Sequence, residues 1–170
     1  MHNKVVFRAA KAAVHCGIPV LRFNFRGIGH SQGKYADGDG EREDARAALA
    51  YLLGRFPELP VCMMGFSFGS VVALAVGSEE ARVNSLVGMG IPANSVDLSF
   101  LEPVLKPKLI VQGAQDEFGS REKVQALFAA LQEPKRLQIV EDADHFFAGK
   151  LAELQSAIQE FLHGILEGLQ

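Results

Sequence analysis

Two periods of apolar residues alternate along the chain, one typical of helices and the other of buried strands. Apolar residues recur at helical spacing over five stretches, and the predicted helices cover residues 3–16, 41–54, 68–76, 120–131 and 150–166. Short continuous apolar runs between them predict buried strands at residues 20–25, 61–64, 85–90, 108–112 and 137–140. This alternation predicts an α/β fold, a three-layer α/β/α sandwich around a mostly parallel sheet of about five strands.

Composition narrows the class of protein further. With 170 residues, the chain is expected to form a single domain over residues 1–170. Its net charge of −3, from 17 basic and 20 acidic residues, gives no electrostatic reason to expect nucleic acid or an anionic membrane as a partner. No run approaches the roughly 18 apolar residues of a membrane span, and the polar start does not resemble a signal peptide. We therefore expect a cytoplasmic protein.

The two cysteines, Cys16 and Cys62, lie in apolar surroundings on a predicted helix end and a predicted strand. They are expected to be reduced core residues rather than a disulfide. Their spacing suits no metal site, and neither a metal nor an organic cofactor is expected.

The segment from Met64 to Ser70 joins a predicted strand to a predicted helix and reads Met-Gly-Phe-Ser-Phe-Gly-Ser. A Gly-x-Ser-x-Gly sequence in this context is typical of a nucleophile elbow, in which Ser67 occupies a strained turn. Gly65 and Gly69 are expected there because a Cβ at either position would collide where the helix and strand cross. The backbone N–H of Phe68 would face a developing oxyanion. A chance match in a glycine-rich chain is the alternative.

Three loops at the carboxyl end of the predicted sheet carry residues that suit nucleophilic catalysis, namely Ser67, Asp116 and His145. A serine hydroxyl needs a base to take its proton, and histidine commonly serves as that base. A buried carboxylate holds the imidazole in the correct tautomer. The chain order serine, aspartate, histidine is that of an α/β-hydrolase and of neither common serine-protease fold. The sequence therefore predicts a triad of these three side chains.

Other residues compete for parts of this site. Glu117, Asp142 and Asp144 could also supply the acid, although helix capping is expected for the two aspartates and Glu117 is expected to point away. His30 follows a glycine turn and is either a substrate-side residue or a structural polar one. The glycine pair at positions 27 and 29 lacks the third glycine and the Lys-Ser/Thr of a nucleotide loop, so a turn is expected there.

Together these motifs resemble the α/β-hydrolase superfamily, and more narrowly the small, lid-poor bacterial hydrolases related to dienelactone hydrolase. The matching segments are residues 23–31, 65–69, 113–116 and 144–147, and the resemblance runs from about Asn3 to the C-terminal helix. It implies Ser67 as the nucleophile, Asp116 as the acid and His145 as the base. Because dienelactone hydrolases proper use cysteine as the nucleophile, the serine here implies ester hydrolysis of a broader kind.

The chain departs from the superfamily at its start. In the family, about three strands and a loop that supplies a second oxyanion N–H precede the first helix, whereas this chain starts at that helix. One of the missing strands would normally lie between the predicted strands at 20–25 and 61–64. Three alternatives are open: these two strands pair directly, a partner chain fills the gap between them, or the sequence is a truncated form. With the Phe68 N–H alone, the loss of one donor would cost on the order of 10²–10³ in rate.

Six phenylalanines lie near the predicted site by sequence, and most of them are expected in the core. Phe66, Phe118 and Phe146 are the candidates for substrate contact. Residues 92–107 stand where relatives insert lids and are too short for a multi-helix cap, so we expect an open site for small esters. The predicted function is that of a serine carboxylesterase with an acyl-enzyme on Ser67. The alternatives are a weak or inactive scaffold that acts through a homodimer or a partner, and acyl transfer on the same serine.

Overall fold

Four parallel strands form one sheet in the order β1-β2-β3-β4 in the computed structural model, which describes residues 3–168. The strands are β1 (Val61–Phe66), β2 (Val83–Met89), β3 (Lys108–Gly113) and β4 (Lys135–Val140). The helices are α1 (Lys4–His15), α2 (Asp39–Arg55), α3 (Phe68–Glu79), α4 (Arg121–Ala130) and α5 (Leu151–Glu167). One 3₁₀ turn, Ser99–Leu101, interrupts the irregular stretch between β2 and β3. Met1 and His2, part of the predicted polar start, lie outside the described residues.

Two apolar clusters cover the two faces of the sheet. One cluster packs α1 and α5 against side chains such as Val87 and Leu109. The other packs α2, α3, α4 and the stretch after β2 against their chain neighbours Leu86 and Ile110. Successive residues of a strand point to opposite faces, so each buried strand contributes to both clusters. The predicted three-layer α/β/α sandwich is confirmed.

The predicted strand at residues 20–25 is wrong, and within residues 3–168 the sheet has four strands rather than five. β1 pairs with β2 and with no other described strand, so direct pairing of the two segments is also wrong. A strand forms only where a neighbour exchanges backbone hydrogen bonds with it, and this segment pairs with no described strand, not even with the free edge of β1. Phe25 packs instead on a small cluster between α2 and α3. Three apolar side chains of the segment stay 36–41% exposed, those of Val20, Leu21 and Phe23.

The helix ends follow local hydrogen-bonding signals. The side chain of Asn3 accepts hydrogen bonds from the first N–H groups of α1, at 2.9 and 3.1 Å. The buried carboxylate of Glu41 accepts from the N–H groups of Ala36 and Gly38, which fixes the start of α2. At the end of α4, the ammonium of Lys135 donates to carbonyls of the last turn, including that of Leu131.

Neither a disulfide nor a helix suited to crossing a bilayer occurs within residues 3–168. Cys16 and Cys62 are free thiols, as the sequence analysis expects. Burial raises the pKa of the Cys62 thiol to about 11, which keeps it protonated at neutral pH.

Arg26 holds the loop that follows the irregular segment against α2. Its backbone N–H donates to Oδ2 of Asp44 at 2.8 Å, and its Nη2 donates to Oδ1 at 2.8 Å. The same Nη2 lies 3.2 Å from a carboxylate oxygen of Glu43. The hydrogen bonds from Arg26 hold the pKa of Asp44 below its usual value. About a quarter of each side chain of the Arg26–Asp44 pair is exposed, so solvent weakens but does not remove the attraction.

We expect the Asp44→Asn variant to be less stable than the wild type by about 1–2 kcal/mol at pH 7, because it loses a partly exposed charge-assisted pair. The pKa of Asp44 is lowered by folding, so its contribution is complete above the unfolded value of about 3.9 and is lost as the pH falls below it. Urea unfolding at pH 7, 5 and 3 should therefore give a difference that shrinks at pH 3. Asp37→Asn, an exposed change in the loop that precedes α2, is the control. A difference that stays constant with pH would contradict this account.

Candidate active site

Ser67 lies in a tight turn between β1 and α3, at the carboxyl end of the sheet. Its backbone angles, φ 53° and ψ −126°, are rarely adopted by a residue with a side chain. The turn is held because the Ser67 N–H donates to the carbonyl of Met89 at 3.0 Å, and the Ser70 N–H donates to the carbonyl of Ser67 at 2.8 Å. The strained turn that the sequence predicts at this serine is therefore present.

The two glycines of the elbow do different things. A Cβ on Gly65 would lie 2.0 Å from the carbonyl oxygen of Gly69, so that α3 could not cross β1 at this distance. A Cβ on Gly69 would instead meet only the ring of Phe25, at an ordinary contact distance of 3.7 Å. The expectation of a collision at both positions is thus correct at Gly65 and wrong at Gly69, because the close approach is made by the Gly69 backbone and not by its Cα substituent.

The structure brings the side chains of Ser67, His145 and Asp116 into one hydrogen-bonded line. The Ser67 Oγ lies 2.9 Å from Nε2 of His145, and Nδ1 of His145 lies 2.8 Å from Oδ2 of Asp116. Both His145 and Asp116 are only 4% exposed. With Nδ1 donating its proton to the carboxylate, Nε2 is the ring nitrogen free to accept one from the serine hydroxyl. A serine, a base and an orienting carboxylate in this geometry can carry out nucleophilic acyl transfer.

Four N–H donors surround the carboxylate of Asp116. Oδ1 accepts from the backbone N–H groups of Phe118, at 2.8 Å, and Gly119, at 3.3 Å. Oδ2 accepts from His145 and from the side-chain amide of Gln112, each at 2.8 Å. A buried carboxylate is tolerated in a protein interior when its lone pairs are satisfied in this way.

Gln112 is the residue of this site that the sequence analysis missed. Its side chain is fully buried, and besides Asp116 it donates to the carbonyl of Gly119 at 2.9 Å and accepts from the N–H of Ile91 at 2.8 Å. It therefore ties the end of β3 to the loop after β2 and to the loop that carries Asp116. The available signal was an amide at the end of an otherwise apolar strand, since buried amides are retained where they have partners.

The loop of His145 is fixed by its close approach to the end of β3. The N–H of Ala114 donates to Val140 and the N–H of Gln115 donates to Ala143, both at 2.9 Å. A Cβ on Gly113 would lie 2.6 Å from the carbonyl oxygens of Ala143 and Asp144, so a larger residue there would push the loop away. The absence of a side chain at this position sets how near His145 comes to the sheet.

Three phenylalanine rings contact the imidazole of His145. The ring centroids of Phe118, Phe66 and Phe146 lie 4.6, 4.9 and 5.1 Å from it. Phe66 is buried behind the imidazole, whereas Phe118 and Phe146 keep 46% and 58% of their surface exposed. A bound molecule can therefore reach Phe118 and Phe146, whereas Phe66 packs against the imidazole from the buried side. Substrate contact by these residues stays a prediction.

Phe68 is the first residue of α3, where backbone N–H groups have no partner within the helix. Its ring is 37% exposed and makes edge contacts with Phe25 and Tyr35, at centroid distances of 5.9 and 5.7 Å. The N–H of Phe68 is thus at a helix start, beside the serine, as an oxyanion donor would need to be. That role stays a prediction.

The competing residues lie outside the hydrogen-bonded line. Glu117 is exposed, and Asp144 accepts a hydrogen bond from the N–H of Ala148 at 2.9 Å, which caps a local turn. Asp142 occupies an exposed turn with φ 57°, and His30 is exposed in its loop. The glycine pair at 27 and 29 has φ values of 72° and 62° and forms the expected turn. Within residues 3–168, no group of three or more metal-ligating side chains is close enough to hold a metal ion.

We expect Gly65→Ala to lower the free energy of unfolding by about 3 kcal/mol, the upper end of the usual cost of overpacking, because its Cβ must displace the backbone of α3. Gly69→Ala is the matched control, since the same methyl group there meets open space and one ring. Its stability should be unchanged or raised by up to about 1 kcal/mol. Urea denaturation followed by circular dichroism measures both, and equal losses in the two variants would contradict this account of the elbow.

A family model, a sequence relative and two solved structures match this chain. A family model of the alpha/beta hydrolase domain matches residues 1–165. An uncharacterised protein of Rickettsia prowazekii is 38% identical over 95% of this chain and 72% of its own length. Two solved structures, each 36% identical, also match. One is an alpha-beta serine hydrolase homologue from Coxiella burnetii, with a TM-score of 0.88 over 94% of this chain and 76% of that one. The other, from Xanthomonas campestris, is an α/β serine hydrolase without a lid, with a TM-score of 0.87 over 96% and 74%. On the family match and these identities, the chain belongs to the α/β-hydrolase family.

Proposed function

We propose that this chain is a serine hydrolase that cleaves small carboxylic esters through an acyl-enzyme on Ser67. The observation that carries the proposal is the line of hydrogen bonds from Asp116 through His145 to Ser67, at 2.8 and 2.9 Å. Membership of the α/β-hydrolase family supports hydrolysis as the general reaction. The ester substrate and the roles of the three residues are our inference from this geometry.

Acylation begins when the Ser67 Oγ attacks the carbonyl carbon of the ester while its proton passes to Nε2 of His145. The negative charge that develops on the carbonyl oxygen is stabilised by the N–H of Phe68 at the start of α3. The bond between the carbonyl carbon and the alcohol oxygen then breaks, and Nε2 returns the proton to that oxygen. The alcohol departs and the acyl group remains on Ser67.

Deacylation repeats these steps with water in place of the alcohol. Nε2 of His145 takes a proton from the water as its oxygen attacks the acyl carbon. The bond to Ser67 Oγ breaks, and Nε2 returns the proton to the serine. A carboxylic acid leaves, and the carboxylate of Asp116 holds the imidazole in one orientation throughout. An acyl acceptor other than water would give acyl transfer by the same steps.

Gln112 has a positioning role in this scheme. It does not reach the reacting atoms, but it donates to the same carboxylate oxygen of Asp116 that binds His145. Because it also binds Ile91 and Gly119, it fixes where that oxygen lies relative to three loops. A displacement of the base by about 1 Å can cost on the order of 10²-fold in rate.

A second candidate function is a scaffold of low activity that acts through a homodimer or another partner. Two observations favour it within the described chain: the outer edge of β1 is unpaired, and three apolar side chains of residues 20–25 are 36–41% exposed. Unpaired strand edges and apolar surface are both common at protein contacts. Phe68 supplies one candidate oxyanion donor, and a site with one donor fewer is slower by on the order of 10²–10³.

We expect a fluorophosphonate probe to label Ser67, and we expect Ser67→Ala to lose labelling and at least about 10³-fold of p-nitrophenyl acetate turnover. Ser78→Ala, at the other end of α3, is the control and should keep both. Intact-protein mass spectrometry identifies the adduct, and light scattering gives the oligomeric state. A folded dimer that is neither labelled nor active would favour the scaffold and contradict the hydrolase.

We expect Gln112→Met to lower kcat for p-nitrophenyl acetate by about 10- to 100-fold while KM changes little, because Gln112 orients the acid and does not line the open site. Thermal unfolding should also show lower stability, since a buried N–H and carbonyl lose their partner. Gln138→Met, on β4, is the matched control and should leave kcat unchanged. A Gln112→Met variant with lower stability but full kcat would contradict the positioning role.

A further inference from the structure

The direction of proton transfer fixes where the alcohol part of an ester must lie. The alcohol oxygen receives its proton from Nε2 of His145, so this oxygen comes within hydrogen-bonding reach of that nitrogen. The same nitrogen is 2.9 Å from the Ser67 Oγ. The carbon atoms attached to the alcohol oxygen therefore lie beside the imidazole, within reach of the side chains that surround it.

The half-exposed side chains in contact with this imidazole are aromatic. Phe118 and Phe146 come from different loops, and their ring centroids lie 4.6 and 5.1 Å from the imidazole. Their planes are inclined to it by 59° and 81°, and about half of each ring is exposed. Exposed phenylalanine is costly to leave in water, and rings in such arrangements bind another ring by edge or offset contact.

The charges on the same two loops disfavour an anionic alcohol. Residues 114–119 and 141–149 contain five acids and no lysine or arginine. Asp116 is buried against His145, and Glu141 pairs with Arg121 from the start of α4. The other three acids, Glu117, Asp142 and Asp144, are exposed. A carboxylate or phosphate on the alcohol part would therefore approach like charge.

We propose that the preferred substrates are esters whose alcohol part carries an uncharged aromatic ring, which binds against Phe118 and Phe146. This inference rests on the proposed function. Both rings contact the imidazole that protonates the alcohol oxygen, so they favour such an alcohol irrespective of the acyl group. The ring binds to the two phenylalanines during acylation and leaves with the alcohol.

The test compares two acetates that give the same acetyl-enzyme, benzyl acetate and cyclohexylmethyl acetate. Both are esters of primary alcohols of similar size, and they differ in whether the ring is aromatic. We expect kcat/KM to favour benzyl acetate by roughly 3- to 10-fold, as one or two aromatic contacts would give. 4-(Acetoxymethyl)benzoate is benzyl acetate with a carboxylate added to the ring. It should be cleaved more slowly than benzyl acetate, and the difference in rate should be larger at low salt.

Phe118→Leu and Phe146→Leu should each reduce the benzyl preference, and the double variant should bring the ratio close to one. Leucine keeps an apolar side chain at these half-exposed positions, so a circular dichroism melt should report little change. Phe56→Leu is the matched control, because Phe56 is 38% exposed at the far end of α2. Its ratio should equal that of the wild type.

A second pair of esters separates the two sides of the serine. Methyl phenylacetate and methyl cyclohexylacetate carry the ring on the acyl part, and their ratio should not change in the double variant. A wild-type benzyl ratio near one, a ratio unchanged in the double variant, or a ring preference confined to the acyl part would overturn the inference while the esterase proposal stands. Failure to cleave any of these esters, together with no fluorophosphonate labelling, would instead overturn the proposed function itself.

Discussion

The arrangement of the candidate site depends on the buried carboxylate of Asp116. A charge in a protein interior must be matched by hydrogen bonds, and here all four donors are N–H groups. Two come from its own loop, one from the end of β3 and one from the imidazole of His145. Since the carboxylate needs all of them, it holds three segments of chain in fixed relation. Through His145 the constraint extends to Ser67, whose strained turn is fixed independently by the crossing of α3 over β1.

Much of this arrangement could be predicted from the sequence because the signals are local. A parallel sheet brings the loops after its strands to one edge, so residue types at strand ends predict which side chains meet. Ser67, Asp116 and His145 each follow a buried run, and the structure joins them by hydrogen bonds. The helix caps at Asn3 and Ser120 and the turn at glycines 27 and 29 are also encoded within a few residues.

The features that could not be predicted depend on residues distant along the chain. Residues 20–25 have the composition of a strand, yet a strand requires a neighbour, and no pattern within those six residues reports whether one is present. Gln112 has the same difficulty, because its importance comes from partners at positions 91, 116 and 119. At Gly69 the motif predicted a steric collision that the structure shows only at Gly65.

The two sides of the candidate site are anchored by different forces. On the His145 side, buried hydrogen bonds and close backbone contacts to β3 fix each group, and such contacts tolerate little displacement. On the Phe68 side, the neighbouring ring contacts come from Phe25 and Tyr35, which belong to irregular chain that Arg26 and Glu41 tie to α2. Contacts of half-exposed rings are weaker and less directional than buried hydrogen bonds. The line of hydrogen bonds is therefore set by the sheet itself, whereas the surroundings of the Phe68 N–H, the proposed oxyanion donor, depend on the contacts that order the chain between α1 and α2. Under the proposed mechanism, changes in this segment would alter the rate of acylation without disturbing the hydrogen bonds between Ser67, His145 and Asp116.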